Sequence, residues 1–206
     1  MVKYYPSPTK DTIIEPFAGS ARYSLMHFEK NVILYEKDEK VYRIWKYLQQ
    51  ASERDIISLP DANPGADLRN IQSLSEEEKW LIGFQGNRGA ARPNNIMSIR
   101  STWNKDRERI SKELYKIRHW EILKKDAMSM PIDGNMTYFI DPPYTVQSHG
   151  YTHRHVDFIE LRNIINNLEQ VIACGNEGDT WIEFSPLKEM HGTNKKHIEC
   201  VFIKGF

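Results

Sequence analysis

Short apolar runs alternate with amphipathic stretches from the start of the chain. Residues 12–17, Thr-Ile-Ile-Glu-Pro-Phe, read as a short buried strand ending in a Gly-containing turn, and residues 20–30 have helical composition. Asn31 marks the next break, residues 32–35 read as a second strand, and residues 39–51 predict a helix with Val41, Ile44, Trp45 and Leu48 at core spacing. A βαβα opening implies a parallel sheet with helices on both faces.

The rhythm stops between residues 59 and 118. Residues 59–66, with Pro60, Asn63, Pro64 and Gly65, read as a loop, and Ser75 followed three residues later by Glu78 marks a helix start. A second loop, 86–95, is rich in Gly, Arg, Pro and Asn. Residues 106–118 then predict an amphipathic helix in which Ile110, Leu114 and Ile117 form one stripe and Lys105, Arg109, Lys112 and Lys116 another.

Strand patterning returns at 120–123 and 137–140, the latter running into Asp141-Pro142-Pro143-Tyr144. A helix over 156–168 and strands over 171–174, 181–184 and 197–204 complete the reading. The fold expected is α/β, a doubly wound, mostly parallel sheet with a helical insertion. Residues 1–58 and 119–206 form the main domain, and 59–118 the inserted region.

A length of 206 residues suits one domain with such an insertion. Hydrophobic residues at 40% and charged residues at 27% exclude a disordered or fibrous chain. The apolar runs are too short to cross a bilayer and no secretory signal opens the sequence, so a cytoplasmic protein without a membrane partner is expected. Cys174 and Cys200 form no Cys-x-x-Cys pair and read as reduced, buried thiols. His149, His153 and His155 lack matching carboxylate spacing, so no metal is expected.

Net charge is zero, but its distribution is uneven. Residues 85–118 carry nine basic residues, Arg88, Arg92, Arg100, Lys105, Arg107, Arg109, Lys112, Lys116 and Arg118, against three acids. A basic region on an otherwise acidic body suggests a local face for nucleic acid. Arg88, Arg92 and Asn94 are loop candidates for reading base edges; Lys105, Arg109, Lys112 and Lys116 are candidates for phosphate contacts. A solvated helix face is the alternative.

The strongest chemical signal is Phe139-Ile140-Asp141-Pro142-Pro143-Tyr144. Two prolines after a buried strand cannot continue a ladder, so the chain leaves the sheet at its carboxyl edge, where α/β folds bind ligands. That turn gathers a carboxylate, unpaired carbonyls and an aromatic ring. Adenine's amino nitrogen is a poor nucleophile because its lone pair is delocalised. Accepting both amino hydrogens, as Asp141 and the Pro142 carbonyl could, returns density to the nitrogen, and Tyr144 could stack on an extruded base.

This tetrapeptide, with Glu15-Pro16-Phe17-Ala18-Gly19-Ser20-Ala21 upstream, closely resembles the adenine-specific DNA methyltransferases, particularly the DNA adenine methylase group of bacteria and phages. The similarity runs nearly the whole chain. The resemblance implies a Rossmann-like methyltransferase fold and transfer of a methyl group from S-adenosylmethionine to the amino group of adenine in double-stranded DNA. It implies that Asp141, Pro142, Pro143 and Tyr144 are catalytic. The cofactor would be bound by Glu15, Pro16, Phe17, Ala18, Gly19 and Ser20, with Asp141 adjoining. The family pattern has a final glycine where this chain has Ala21.

Glu36, ending the second strand, sits where an acid commonly accepts the ribose hydroxyls, with Asp38 as runner-up. Asp126 resembles an acid that contacts the cofactor adenine, or is a solvated turn. Residues 173–178 resemble a segment lining the target pocket, or form an Asn/Gly turn. The basic insertion occupies the place of the family's target-recognition region. A Gly-x-Lys segment usual near the family's amino terminus is not found after Met1; Lys3, Tyr5 and Lys10 are candidates to replace it. The alternatives are an RNA adenine methyltransferase and a degenerate, non-catalytic nucleic-acid-binding module. Nothing in the sequence pattern marks an oligomeric state.

Overall fold

A computed structural model describes residues 4–86, 91–144, 152–153, 155–191 and 196–206. In chain order the elements are β1 (Thr12–Glu15), α1 (Arg22–Met26), β2 (Asn31–Tyr35), α2 (Glu39–Gln50), α3 (Glu53–Ile57), α4 (Glu76–Gln85) and α5 (Trp103–Glu113). Then follow β3 (Glu121–Leu123), β4 (Met136–Ile140), α6 (Phe158–Asn167), β5 (Gln170–Asn176), β6 (Ser185–His191) and β7 (Lys196–Lys204).

Among the described residues the strands form one sheet in the order β3-β2-β1-β4-β5-β7-β6. β1 pairs in parallel with both β2 and β4, β2 with β3, and β4 with β5, whereas β7 runs antiparallel between β5 and β6. This is the doubly wound, mostly parallel α/β sheet expected. The alternation of side chains along β4 separates its faces. Tyr138 and Ile140 pack with Ile14, Val171, Ala173, the apolar stripe Leu161 and Ile165 of α6, and Leu168 just after it. Phe139 points the other way and stacks on Tyr23 of α1, with ring centroids 4.5 Å apart. Buried on both faces, these strands read as continuous apolar runs.

The chain divides into two compact units, one holding the sheet with α1 and α6, the other spanning Asp38–Arg118 with α2 to α5. Within the helical unit Arg43 of α2 pairs with Glu76 and Glu77 of α4 and lies over the Trp80 ring, which groups α2 with the later helices. Ser75 and Glu78 form the capping box anticipated at the start of α4. α5 begins at Trp103, earlier than the sequence pattern suggests, because that fully buried indole anchors its first turn and donates from Nε1 to the Pro60 carbonyl at 2.9 Å.

One strand differs from expectation. Residues 181–184 form no strand; Trp181 packs against Phe158 and Phe184, and the Phe184 ring fills the space that a Cβ on Gly175 would need. The sixth strand is Ser185–His191, whose polar composition and Pro186 hid it. An edge strand tolerates both, since one side needs no ladder partner. Among the described residues no helix is long and apolar enough to cross a membrane.

Candidate active site at the carboxyl edge of the sheet

β1 and β4 are neighbours, yet the chain proceeds outward from β1 to β2 and β3 on one side and from β4 to β5 on the other. The carboxyl ends of β1 and β4 therefore flank the topological switch point, where helices depart to opposite faces and leave a crevice. The 15–20 turn follows β1 and Asp141-Pro142-Pro143-Tyr144 follows β4. Glu36 follows β2 and Asp126 follows β3. The parallel register thus brings the sequence-predicted cofactor and catalytic residues of the sheet unit to one edge.

In the first turn Gly19 and Ala21 both adopt the left-handed conformation, with φ of 46° and 44°. Pro16 and Ala18 are buried, while Gly19 and Ser20 are exposed. A Cβ added to Gly19 would meet only the Phe17 carbonyl oxygen within 4 Å, at 3.9 Å, so the backbone there is open to approach. Glu36 turns its Oε2 onto the Gly19 amide at 3.1 Å, which fixes its carboxylate against the turn. Glu15, 2% exposed, accepts from the Ser24 amide at 2.6 Å. Burial nevertheless pushes its carboxyl up to about 8, the hydrogen bond from Ser24 opposing and the Asp141 charge adding to the rise.

Asp141 is exposed at the end of β4. Its carboxyl is pushed up to about 7, first by lost hydration and then by the Glu199 charge; a hydrogen bond from Tyr144 opposes the rise. The open area moderates the first of these causes. Pro142 and Pro143 are buried and hold the strand exit; Tyr144 is half-buried. The Tyr144 hydroxyl donates to Glu199 Oε1 at 3.2 Å, and Tyr5 donates to the same oxygen at 3.1 Å. Cys174 on β5 donates its thiol to the Tyr5 oxygen at 3.4 Å. Burial raises both phenols and the Cys174 thiol, so all three stay protonated donors at neutral pH.

Sequence reasoning passed over Glu199. A buried acid within the apolar run Ile198-Glu199-Cys200-Val201 of a strand flanked on both sides was the signal available. Asn176, its partner across β5 and β7, is also buried, and its Oδ1 has no hydrogen-bond partner among the described residues. Tyr5, one of the three candidates named for a cofactor-closing role, stands at this cluster in an edge-to-face contact with Phe139. Lys10 does not: it lies 3.9 Å from Glu169, just before β5, at the opposite edge of the sheet. Lys3 falls outside the described residues.

Asp126 caps a short 3₁₀ turn by accepting from the Met128 amide at 3.0 Å and pairs with Lys37 at 2.6 Å. The Lys37 ammonium is the first cause holding its carboxyl below the usual range. Asp38 caps α2 through the Lys40 and Val41 amides, which leaves Glu36 as the acid aimed at the turn. Among the described residues no group of three or more His, Cys, Asp or Glu could hold a metal ion; His149 lies outside them.

In the helical unit the basic residues are largely engaged. Arg109 pairs with Asp106 and Glu113, Lys112 with Glu108, and Lys116 with Glu113, all along α5. Arg107 donates to the Leu59 carbonyl and pairs with Asp61, and Arg118 donates to the Gln49 and Ala51 carbonyls at the end of α2. Lys105 and Arg92 are exposed. Asn94 is half-buried and its amide bonds to the Gly83 carbonyl of α4 at 3.2 Å. Arg88 lies outside the described residues.

No protein-family model matches the chain, and no curated protein matches it. Among solved structures it is similar to a "conserved hypothetical protein" of Streptococcus pyogenes, with 13% identity, 98% of this chain and 89% of that one covered, and a TM-score of 0.41. It is also similar to HI0767 of Haemophilus influenzae, described as a "putative methylase", with 11% identity, 93% and 86% covered, and a TM-score of 0.40. At this level neither likeness speaks to substrate or cofactor.

Proposed function

We propose that this protein transfers a methyl group from S-adenosylmethionine to the exocyclic amino group of adenine in DNA. The observation that carries the reading is the meeting, at the topological switch point, of the Glu15–Ser20 turn from β1 with Asp141-Pro142-Pro143-Tyr144 from β4. The open backbone over Gly19 and the Glu36 carboxylate against it fit the cofactor's aminoacyl and ribose parts. The carboxylate of Asp141, exposed at the end of β4, fits its positive charge. When bound, the cofactor supplies an electrophilic methyl on a sulfonium.

The chain's own residues then make the amine reactive. Asp141 and the Pro142 carbonyl accept the amino hydrogens, and Tyr144 replaces the stacking lost when the base leaves the duplex. The unpartnered Asn176 Oδ1 offers a further acceptor near Glu199. Positioning provides most of the acceleration, since the leaving sulfur departs neutral. The region 59–118 serves as the target-recognition part.

The test is transfer of labelled methyl from S-adenosylmethionine to mixed-sequence duplex DNA, followed by mass analysis of nucleosides, with RNA run in parallel. Methylated deoxyadenosine is expected, and Asp141→Ala is expected to abolish it while leaving the unfolding transition in place. Substantial methylation by that variant, or label in RNA alone, contradicts the reading.

A further inference from the structure

β7 carries an acid where an interior strand is otherwise apolar. Glu199 is 2% exposed, stands between Ile198 and Cys200, and lies on a strand hydrogen-bonded on both sides. A buried carboxyl needs partners, and its Oε1 has two: Tyr144 donates at 3.2 Å and Tyr5 at 3.1 Å. Two phenols thus converge on one oxygen, one from the turn after β4 and one from the amino-terminal segment. Tyr5 is itself fixed. Its oxygen accepts from Cys174 at 3.4 Å, its ring centroid lies 5.2 Å from that of Phe139, and the Pro6 carbonyl beside it accepts from Tyr23 at 2.8 Å. Tyr144, by contrast, is half-buried. Pro142 and Pro143 stiffen the backbone that carries it, but the χ2 torsion of tyrosine is broad, so the backbone alone does not set the ring plane. A phenolic O–H lies in the plane of its ring by conjugation. A bond donated to a fixed acceptor therefore sets both the position of the ring's far end and the way the ring is turned, and Glu199 Oε1 is that acceptor.

We infer that Glu199, braced by Tyr5, is a positioning residue that holds the Tyr144 ring at the angle a stacked base requires. That it holds the ring rests on the geometry alone; that the ring receives an extruded adenine rests on the proposed function. A ring already set when the base arrives loses little torsional freedom on stacking. The base is then held with its amino group in line with the methyl. Small misplacements of reacting atoms slow a reaction steeply, whereas affinity for DNA is dominated by phosphate contacts. The clamp therefore acts on kcat more than on KM for DNA. Glu199 works through Tyr144 and needs no contact of its own with the base.

The clamp is tested first in ligand-free protein, by NMR of tyrosines labelled with carbon-13 at Cζ, the Tyr144 resonance being assigned with Tyr144→Phe. Glu199→Ala is expected to move that resonance, and Glu199→Gln, which keeps an acceptor oxygen, to return it toward the wild-type position. A Tyr144 resonance unmoved in folded Glu199→Ala overturns the clamp. In methyl transfer to mixed-sequence duplex DNA, Glu199→Ala is expected to lower kcat roughly ten- to a hundredfold with KM for DNA near that of the wild type. Glu199→Gln is expected to restore most of the rate. Tyr144→Phe is expected to lower kcat to a similar degree, and adding Glu199→Ala to it to lower kcat no further, a result that a merely structural role for Glu199 does not produce. Losses that add, or a raised KM with kcat unchanged, overturn the positioning role. Should Glu199→Ala fail to fold, Tyr144→Phe decides alone: kcat lowered at constant KM upholds the role, and kcat unchanged overturns it. A Tyr144 resonance that answers to Glu199 in a protein that methylates nothing upholds the clamp and overturns the proposed function.

Discussion

Glu15 holds its place at the end of β1 through a 2.6 Å bond from the Ser24 amide, yet its carboxyl is pushed up to about 8 because burial costs the charged form more than that bond returns. A carboxyl whose folded value lies above its unfolded value binds its proton more tightly in the folded state. Its contribution to stability is therefore full below about pH 4 and is lost as pH rises through about 8. Glu15→Gln keeps an acceptor for Ser24 and removes the titration. Its melting temperature is expected to match the wild type near about pH 4 and to exceed it by several degrees above about pH 8. A difference that does not grow with pH over that range rules the account out.

At the scale of elements, the turn between β1 and α1 takes two left-handed residues, and one of them is Ala21, buried, where the resembled family carries glycine. The left-handed conformation costs an L-residue roughly 1–2 kcal/mol, and glycine's greater unfolded-state freedom costs roughly 0.5–1 kcal/mol. The first term exceeds the second, so Ala21→Gly is expected to stabilise the protein by about 0.5–1 kcal/mol, measured from its urea midpoint. A lower midpoint would show that the Ala21 methyl contributes more by packing than its backbone loses by strain. The same scale explains the hidden strand. β6 was illegible because its edge position relaxes the apolar pattern, whereas β5, buried on both faces, announced itself.

Over the whole molecule the charges sum to zero, and the basic excess of the 85–118 region is spent largely on its own fold. Arg107 and Arg118 close carbonyls, and Arg109, Lys112 and Lys116 share acids along α5. Lys105 is exposed at the start of that helix. If this region meets duplex DNA, Lys105→Ala is expected to weaken binding evenly across sequences and to reduce the salt dependence by about one ion. Arg109→Ala, which also removes one partner each from Asp106 and Glu113, is expected to weaken binding at least as much while changing the salt slope less cleanly. Binding that ignores salt in both variants excludes phosphate contact by α5.

The sheet and the candidate site were legible in the sequence for the same reason: strands buried on both faces must be apolar throughout, and a proline pair must end one. Local pattern therefore marked β1, β2, β4 and β5, the turn at Gly19 and the exit at Asp141. Strand order decided the rest. Only the parallel pairing of β1 with β4 brings residues 15–20 to Asp141. Only the antiparallel return of β7 beside β5 lays Glu199 against Asn176 and beneath Tyr144. The Tyr144–Glu199 and Tyr5–Glu199 contacts join residues 55 or more positions apart, and no local periodicity encodes which distant strand a buried edge will choose.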